Sequence, residues 1–312
     1  MKQKIKERLM LTDGLKVIVA ADVEYVDVNN PDHFVPMPDW FRDITTIPGV
    51  PYKFITEFAG PPDSGKTTAG MIALINAQKA GAITILVDVE RKFHKPRFTE
   101  MGGNLEDLYV ISELTIEKNF SQLETYMKNI HDEEPEAKIL VVYDSIAAGV
   151  SNAEMGKDAD SAQTIADQAK VIKRYMKRTI VNAQLCNVAA VLINQVYSDP
   201  NPMAHGKARL SGGKGVEYSK SLALSFVKKA DLKPHTVKGQ LYKSGILTQV
   251  KTTKNHLQFG NMLLSSLMLE VKDTTMEKVT LDKKSKKSKK SVEIDLSDGE
   301  PDDDVESEGG EE

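Results

Sequence analysis

The sequence is poor in cysteine, tryptophan and long hydrophobic runs. Of its 312 residues, one is tryptophan and one is cysteine, Cys186. A single cysteine excludes disulfides within the chain and zinc sites built from several cysteines, and it is typical of proteins from reducing compartments. No stretch reaches the roughly 18 uncharged apolar residues of a membrane-spanning helix, and no apolar signal-peptide core follows the basic N-terminus. We therefore expect a soluble, cytoplasmic protein.

Acidic charge is concentrated towards the C-terminal end. The chain has 41 Lys and Arg against 45 Asp and Glu, a formal net charge of -4. From Lys283 onward there are six lysines and then eleven acidic residues, so the rest of the chain is close to neutral. Such a segment has too little apolar surface to offset the entropy cost of ordering it. We expect residues 273–312 to form a disordered tail, first Lys-rich and then acidic.

Between the ends, strand-like apolar runs alternate with helix-like segments. The first four predicted strands and the helices between them lie at residues 53–59, 66–79, 83–89, 116–131, 138–144, 161–185 and 188–194. Strands almost free of charge that alternate with helices are typical of a buried parallel sheet. Three later strand candidates have no helix between them, at residues 221–230, 245–255 and 262–271. The predicted fold is α/β, with a mostly parallel central sheet flanked by helices and antiparallel strands at its end.

A glycine-rich motif stands between the first strand and the first helix. It reads GPPDSGKTT and matches the phosphate-binding pattern G-x-x-x-x-G-K-[ST]. Gly60 and Gly65 permit the backbone to turn consecutive N–H groups towards one anion, and the helix N-terminus adds its dipole. Lys66 reaches the β- and γ-phosphate oxygens, and the Thr67 hydroxyl binds Mg²⁺. The predicted phosphate site consists of Gly60, Pro61, Pro62, Asp63, Ser64, Gly65, Lys66, Thr67 and Thr68.

Polar side chains follow the ends of the other predicted parallel strands. Asp144 ends one of them at the sheet edge where ligands bind in open α/β folds, and we predict it as a second Mg²⁺ ligand. Glu90 is preferred to Asp88 as the carboxylate that activates or orients the attacking water. Gln195 can sense a γ-phosphate by hydrogen bonding and pass its presence to the segment behind it. We also predict that Phe98 stacks on the adenine.

Taken in order, these motifs resemble those of the RecA family of homologous recombinases. GPPDSGKTT is similar to the family's P-loop, VDVE to the strand with its catalytic glutamate and ILVVYDS to its second magnesium motif. VLINQ resembles the strand before a DNA-binding loop, and QVKTTKN resembles a later strand whose lysines reach the neighbouring subunit's nucleotide. The resemblance extends over about residues 40–269. It implies a RecA-like P-loop NTPase core.

The resemblance also implies a role for each matching residue. Catalysis would use Glu90, Lys66, Gln195 and Lys254, the last acting across a subunit interface. His256 stands where the family has a second basic residue, and a mostly neutral imidazole is a weaker γ-phosphate clamp. The implied DNA-binding residues are Lys207, Arg209, Gly212, Gly213 and Lys214.

The implied function is that of an ATP- and Mg²⁺-dependent recombinase. It would form helical filaments on single-stranded DNA and pair that strand with homologous duplex DNA, in the cytoplasm of a bacterium or phage-infected host. Its partners would be both DNAs, further copies of the chain and a single-stranded DNA-binding protein or mediator. In this interpretation residues 1–39 are an N-terminal segment at the subunit interface, and residues 40–272 are the ATPase and DNA-binding core. The chain resembles a short, phage-type or divergent member of the family.

Two alternatives stay open at this point. A hexameric RecA-core helicase or motor ATPase would use the same P-loop and sheet in a closed ring, although the later strand lacks the arginine expected of a trans finger. A non-catalytic recombination mediator would bind ATP without strand exchange. The intact set of Lys66, Thr67, Glu90 and Asp144 argues against the mediator.

Overall fold

The structure is a computed structural model that describes six stretches of the chain. They are residues 26–155, 163–198, 208–210, 213–237, 240–257 and 266–279. Predictions for residues 1–25, for Lys207 and Gly212, and for the tail from residue 280 onward lie outside the described residues. Within the described stretches, no helix combines the length and the apolar character needed to cross a bilayer.

Helices and strands alternate through the first two thirds of the described chain. The helices are α1 (Asp39–Thr45), α2 (Lys66–Lys79), α3 (Lys95–Glu100), α4 (Ile116–Glu133), α5 (Asn152–Met155), α6 (Gln163–Leu185) and α7 (Gly213–Ser219). The strands are β1 (Phe34–Pro36), β2 (Gly49–Pro51), β3 (Ile55–Gly60), β4 (Ile83–Asp88), β5 (Leu108–Ile111), β6 (Ile139–Asp144), β7 (Val188–Ser198), β8 (Ala208–Leu210), β9 (Leu222–Asp231), β10 (His235–Val237), β11 (Gln240–Tyr242), β12 (Ile246–Asn255), β13 (Ser266–Val271) and β14 (Met276–Lys278). Helix α2 has the predicted bounds, whereas β7 runs four residues further than predicted.

The central sheet has the strand order β14-β13-β12-β9-β3-β7-β6-β4-β5, with β8 paired on β7. Strands β9, β3, β7, β6, β4 and β5 are mutually parallel. Strands β12, β13 and β14 continue the sheet in antiparallel fashion. The predicted fold class, a mostly parallel sheet that ends in antiparallel strands, is therefore confirmed.

Two hydrophobic cores cover the two faces of this sheet, because alternate residues of each strand point to opposite sides. In β6, Leu140 and Val142 belong to the core that includes α1 and α2, whereas Val141 and Tyr143 belong to the core with α4 and α6. Full burial of one large apolar side chain contributes about 1.5–3 kcal/mol. Strands β3, β4 and β6 can be almost free of charge because both faces of each are covered.

Helix α2 approaches the sheet closely, and Gly70 makes this possible. A Cβ atom at Gly70 would lie 3.1 Å from Ile193 Cδ1 and 3.2 Å from Val142 Cγ1. The helix therefore packs directly over β6 and β7. Its N-terminus is thereby held above the carboxyl ends of these strands.

The strand registers bring the polar ends of the parallel strands to one edge. Gly60 of β3 is level with Gln195 of β7, and Asp88 of β4 is level with Asp144 of β6. The carboxyl ends of parallel strands in an open sheet line the crevice in which α/β proteins bind ligands. The candidate site is at this edge.

Candidate functional site

The loop between β3 and α2 requires glycine at two positions. Gly65 has φ of 95°, in the left-handed region that side chains rarely adopt. A Cβ atom at Gly60 would lie 2.1 Å from the carbonyl oxygen of Phe226 in β9. The loop therefore turns tightly against the sheet before α2 begins at Lys66.

The Lys66 side chain is directed back into this loop. Its Nζ donates to the carbonyl oxygen of Pro61 at 2.6 Å and to Ser64 Oγ at 3.3 Å. Burial lowers the pKa of Lys66, and the nearby carboxylates of Asp144, Glu90 and Asp63 oppose this shift. An ammonium group that donates to loop oxygens can exchange these acceptors for phosphate oxygens. The loop and Lys66 therefore fit an anion.

Thr67 and Asp144 form the pair of oxygen ligands predicted for a metal ion. Thr67 Oγ1 donates to Asp144 Oδ2 at 2.8 Å. Burial raises the pKa of Asp144 to about 6, although the hydrogen bond from Thr67 acts in the opposite direction. Mg²⁺ prefers hard oxygen ligands and is usually held by one or two protein groups together with phosphates and waters. A hydroxyl beside one carboxylate fits this preference.

Glu90 lies next to that pair and accepts hydrogen bonds on both carboxylate oxygens. Oε1 accepts from Gln195 Nε2 at 2.6 Å and from Ser145 Oγ at 2.8 Å, while Oε2 accepts from Lys92 Nζ at 2.7 Å. Burial raises the pKa of Glu90, but the hydrogen bonds from Lys92, Ser145 and Gln195 and the charge of Lys92 outweigh it. The pKa of Glu90 is therefore below its ordinary value, and the carboxylate is ionised at neutral pH.

Asp88, the alternative candidate for the water-activating carboxylate, has another set of contacts. Its two oxygens accept hydrogen bonds from the backbone N–H groups of Lys92 and Phe93, at 3.1 and 3.0 Å. Ser112 Oγ also donates to the Asp88 carbonyl oxygen at 2.9 Å. Asp88 therefore supports the backbone that follows β4, which favours Glu90 for chemistry at the edge.

The expectation that Phe98 stacks on the adenine is wrong for this structure. Phe98 lies in α3 and is fully buried in the core. Its ring packs edge-on against Phe93 at a centroid distance of 5.4 Å, and a Cβ atom at Gly103 would lie 2.3 Å from it. The ring has no free face for a base. The sequence could not show this because an aromatic at a helix near the sheet edge fits either role.

Lys254 is not brought to the P-loop of its own chain. Its Nζ donates to the carbonyl oxygen of Glu217 at 2.9 Å. The strand registers place it level with Ala223 of β9 and Glu57 of β3, before the edge at which Gly60 lies. Burial lowers the pKa of Lys254. In this structure Lys254 therefore joins β12 to α7.

The predicted DNA-binding residues are only partly within the described chain. Arg209 lies in β8, whose residues pair with the end of β7. Gly213 begins α7 with φ of 60°, and Lys214 follows it. The side chains of Arg209 and Lys214 are not described.

A buried charge network near this edge was not predicted. Lys220 Nζ lies 2.6 Å from Glu57 Oε2, and Glu57 Oε1 accepts from Asn194 Nδ2 at 2.9 Å. Burial lowers the pKa of Lys220, but Glu57 and Glu217 outweigh it and leave the pKa above its ordinary value. The sequence did hold a signal, since Glu57 is an acidic residue inside an otherwise uncharged buried strand, and such a charge needs a partner.

Ser145 and Lys92 are two further site residues that the sequence analysis missed. Both donate to Glu90, and each lies within two positions of a predicted site residue. A cavity of about 50 Å³ is lined by Thr67, Asp88, Glu90, Lys92 and Asp144 together with apolar side chains. These five polar residues therefore share one concave space.

The glycine-rich loop between β3 and α2, at the carboxyl edge of a mostly parallel sheet, defines a P-loop NTPase core. Comparison with known families agrees with the fold. The family model for the RecA N-terminal domain matches residues 41–262, and the chain belongs to the RecA family.

Relatives named Protein RecA match two thirds or more of the chain. The protein of Ureaplasma parvum is 29% identical over 214 residues, which is 69% of this chain and 60% of the relative. That of Chloroherpeton thalassium is 30% identical over 67% of this chain and 55% of the relative. That of Chlorobaculum tepidum is 27% identical over 74% of this chain and 66% of the relative. The matched region spans about three fifths of the length of these relatives.

Proposed function

We propose that the protein is an ATP-dependent recombinase, as its membership of the RecA family supports. It binds ATP with Mg²⁺, forms helical filaments on single-stranded DNA and pairs that strand with homologous duplex DNA. Family membership alone supports a role in DNA recombination or repair. The finer assignment rests on the arrangement around Glu90.

The observation that carries the proposal is the hydrogen bond between Gln195 and Glu90, at 2.6 Å. Gln195 lies in β7, which leads into the segment that carries the predicted DNA-binding residues. Strand β8, within that segment, pairs back on β7 with Val196 opposite Leu210. One side chain thus joins the carboxylate assigned to hydrolysis to the base of the segment assigned to DNA. Binding at one place would then change the geometry at the other.

The residues at the edge divide the work of hydrolysis. Lys66 and the loop N–H groups bind the phosphates. Thr67 and Asp144 would hold Mg²⁺, which would supply positive charge to neutralise the phosphates. Glu90 orients the attacking water and accepts its proton. Lys254, which lies away from its own P-loop, is assigned to the nucleotide of a neighbouring subunit. That assignment requires head-to-tail assembly, the arrangement that yields a helix when it does not close.

The test is the ATPase rate with and without single-stranded DNA, together with negative-stain images in the presence of a non-hydrolysable nucleotide. Stimulation by DNA with long filaments is the expected result, and Lys66→Ala should abolish both. Closed rings would instead indicate a hexameric motor. Nucleotide binding with neither stimulation nor filaments would indicate a non-catalytic mediator. Homologous pairing of the strand with duplex DNA is then measured directly.

Replacing Gln195 with alanine is expected to uncouple hydrolysis from DNA. The substitution removes a hydrogen bond to a charged group, so we expect stimulation by single-stranded DNA to fall about tenfold or more. Nucleotide binding should persist, since Lys66 and Thr67 are unchanged. The measurement is the ratio of ATPase rates with and without DNA. Gln122→Ala, in an exposed part of α4, is the control, and an unchanged ratio for Gln195→Ala would refute the coupling.

A further inference from the structure

Lys92 is the positively charged side chain among the described residues that line the cavity beside the P-loop. It shares this cavity with Thr67 and Asp144, the proposed Mg²⁺ ligands, and with Glu90. A binding crevice lined by carboxylates alone would repel a triphosphate. The position of Lys92 therefore decides part of the charge that the γ-phosphate of an incoming triphosphate meets.

The backbone at Lys92 and Phe93 is held in place by hydrogen bonds and by packing. The N–H groups of Lys92 and Phe93 both donate to the Asp88 carboxylate. Phe93 packs against the core and makes an edge-on contact with the buried ring of Phe98. The point from which the lysine side chain extends is thus fixed next to Glu90.

The side chain itself is free to change partner. It is 77% exposed, and its ammonium lies 2.7 Å from Glu90 Oε2. Lysine carries a compact charge on a flexible four-carbon stem, so it can reach a new acceptor without movement of the backbone. An exposed ion pair of this kind contributes little to stability, so a stronger anion nearby can displace it.

We propose that Lys92 senses the γ-phosphate: it pairs with Glu90 when no triphosphate is bound and moves to the γ-phosphate oxygens when ATP binds. This inference rests on the proposed function, in which the P-loop binds ATP and Glu90 acts on the attacking water. The exchange has two effects. The positive charge of Lys92 comes to lie beside the γ-phosphate. At the same time Glu90 loses one hydrogen-bond donor, and this loss makes the carboxylate a better base.

The exchange makes binding selective for the triphosphate. ADP lacks the γ-phosphate and leaves the pair of Lys92 and Glu90 intact. ATP provides an anion of higher charge than a carboxylate, together with several acceptor oxygens. Lys92 therefore contributes to the affinity for ATP and not to that for ADP.

The first test measures the binding of two nucleotides to the full chain by calorimetry with Mg²⁺. Lys92→Ala is expected to weaken binding of the β,γ-imido analogue of ATP about tenfold, the loss of one hydrogen bond between charged groups, with ADP binding unchanged. Lys92→Arg should retain the preference for the analogue. Lys95→Ala, an exposed lysine at the start of α3, should change neither affinity. Equal effects of Lys92→Ala on both nucleotides, or no effect on either, would overturn the proposal.

The second test asks whether Glu90 competes for Lys92. Glu90→Gln is expected to strengthen binding of the imido analogue, because it removes both a repelling charge and the competing partner. In a Lys92→Ala background only the repulsion is left to remove, so the gain should be smaller. Equal gains in the two backgrounds would show that Lys92 does not exchange between two partners and would overturn the proposal.

Failure of this inference is distinguishable from failure of the proposed function. If the unaltered protein binds the analogue and hydrolyses ATP, but Lys92→Ala leaves the preference for the analogue intact, only the sensing role of Lys92 is wrong. If the unaltered protein binds neither nucleotide, both are wrong.

Discussion

Replacing Glu90 with glutamine is expected to slow ATP hydrolysis by about 10²- to 10⁴-fold, the usual contribution of a positioned general base. The glutamine oxygen can still accept the hydrogen bonds that Ser145 and Gln195 donate to Oε1. An amide cannot accept the proton of the attacking water, so the shape of the site is retained while its basicity is lost. Binding of ATP should not weaken, because a negative charge beside the triphosphate is removed.

Single-turnover hydrolysis and nucleotide binding, measured on the same preparation, separate these two effects. Asp88→Asn is the informative comparison, because Asp88 is the neighbouring carboxylate and contacts backbone N–H groups. If Asp88→Asn stops hydrolysis and Glu90→Gln does not, the base is Asp88. A normal rate in Glu90→Gln would in any case contradict the assignment of water activation to Glu90.

Replacing Lys220 with alanine is expected to destabilise the folded chain by about 3–5 kcal/mol, the usual cost when a buried ion pair loses one partner. The side chains of Lys220 and Glu57 are 5% and 1% exposed, and their charged atoms lie 2.6 Å apart. Without Lys220 the Glu57 carboxylate would keep the hydrogen bond from Asn194 and lose its positive partner. Because β3, which contains Glu57, leads directly into the P-loop, we expect nucleotide binding to weaken as the free energy of unfolding falls.

Urea unfolding measures this loss, provided that the slope of the transition is the same for all variants. Lys228→Ala is the matched control: its ammonium lies 2.9 Å from Asp231, but both side chains are partly exposed. Loss of that pair should cost about 1 kcal/mol or less. The double change Glu57→Gln with Lys220→Met removes both charges and should recover much of the stability. If Lys220→Ala and Lys228→Ala lowered the free energy of unfolding equally, burial of the Lys220–Glu57 pair would not increase the cost of losing one partner.

The order of strands and helices was predictable because each has a local cause. The charge-free runs mark strands that are buried on both faces, and α2 begins where glycine ends the preceding turn, at Lys66. The change from parallel to antiparallel strands followed from the missing helices after Leu222. The order of strands across the sheet was not predictable in this way. Strand β3 lies between β7 and β9, and both of these strands are far from β3 in sequence.

The candidate site was partly predictable for a similar reason. The residues at the carboxyl ends of the parallel strands, such as Asp144 and Gln195, meet at one edge in any sheet of this kind. Phe98 was assigned wrongly because its environment depends on how α3 packs against the core. Lys92 and Ser145 carry no motif of their own, so only their contacts with Glu90 reveal them.

The sequence by itself determined the fold class, the phosphate-binding loop and the identity of the polar groups at the strand ends. These properties depend on side-chain polarity and glycine positions along short stretches of chain. The tertiary structure decided which groups touch: Gln195 with Glu90, Lys92 with Glu90, and Lys220 with Glu57. Gln195 and Lys220 are far in sequence from the carboxylates they contact, so these two contacts depend on strand order and packing. Burial also removes the water that would otherwise solvate Lys220 and Glu57, which makes their pairing necessary. The exposed pair of Lys92 and Glu90 depends instead on the course of the backbone after β4.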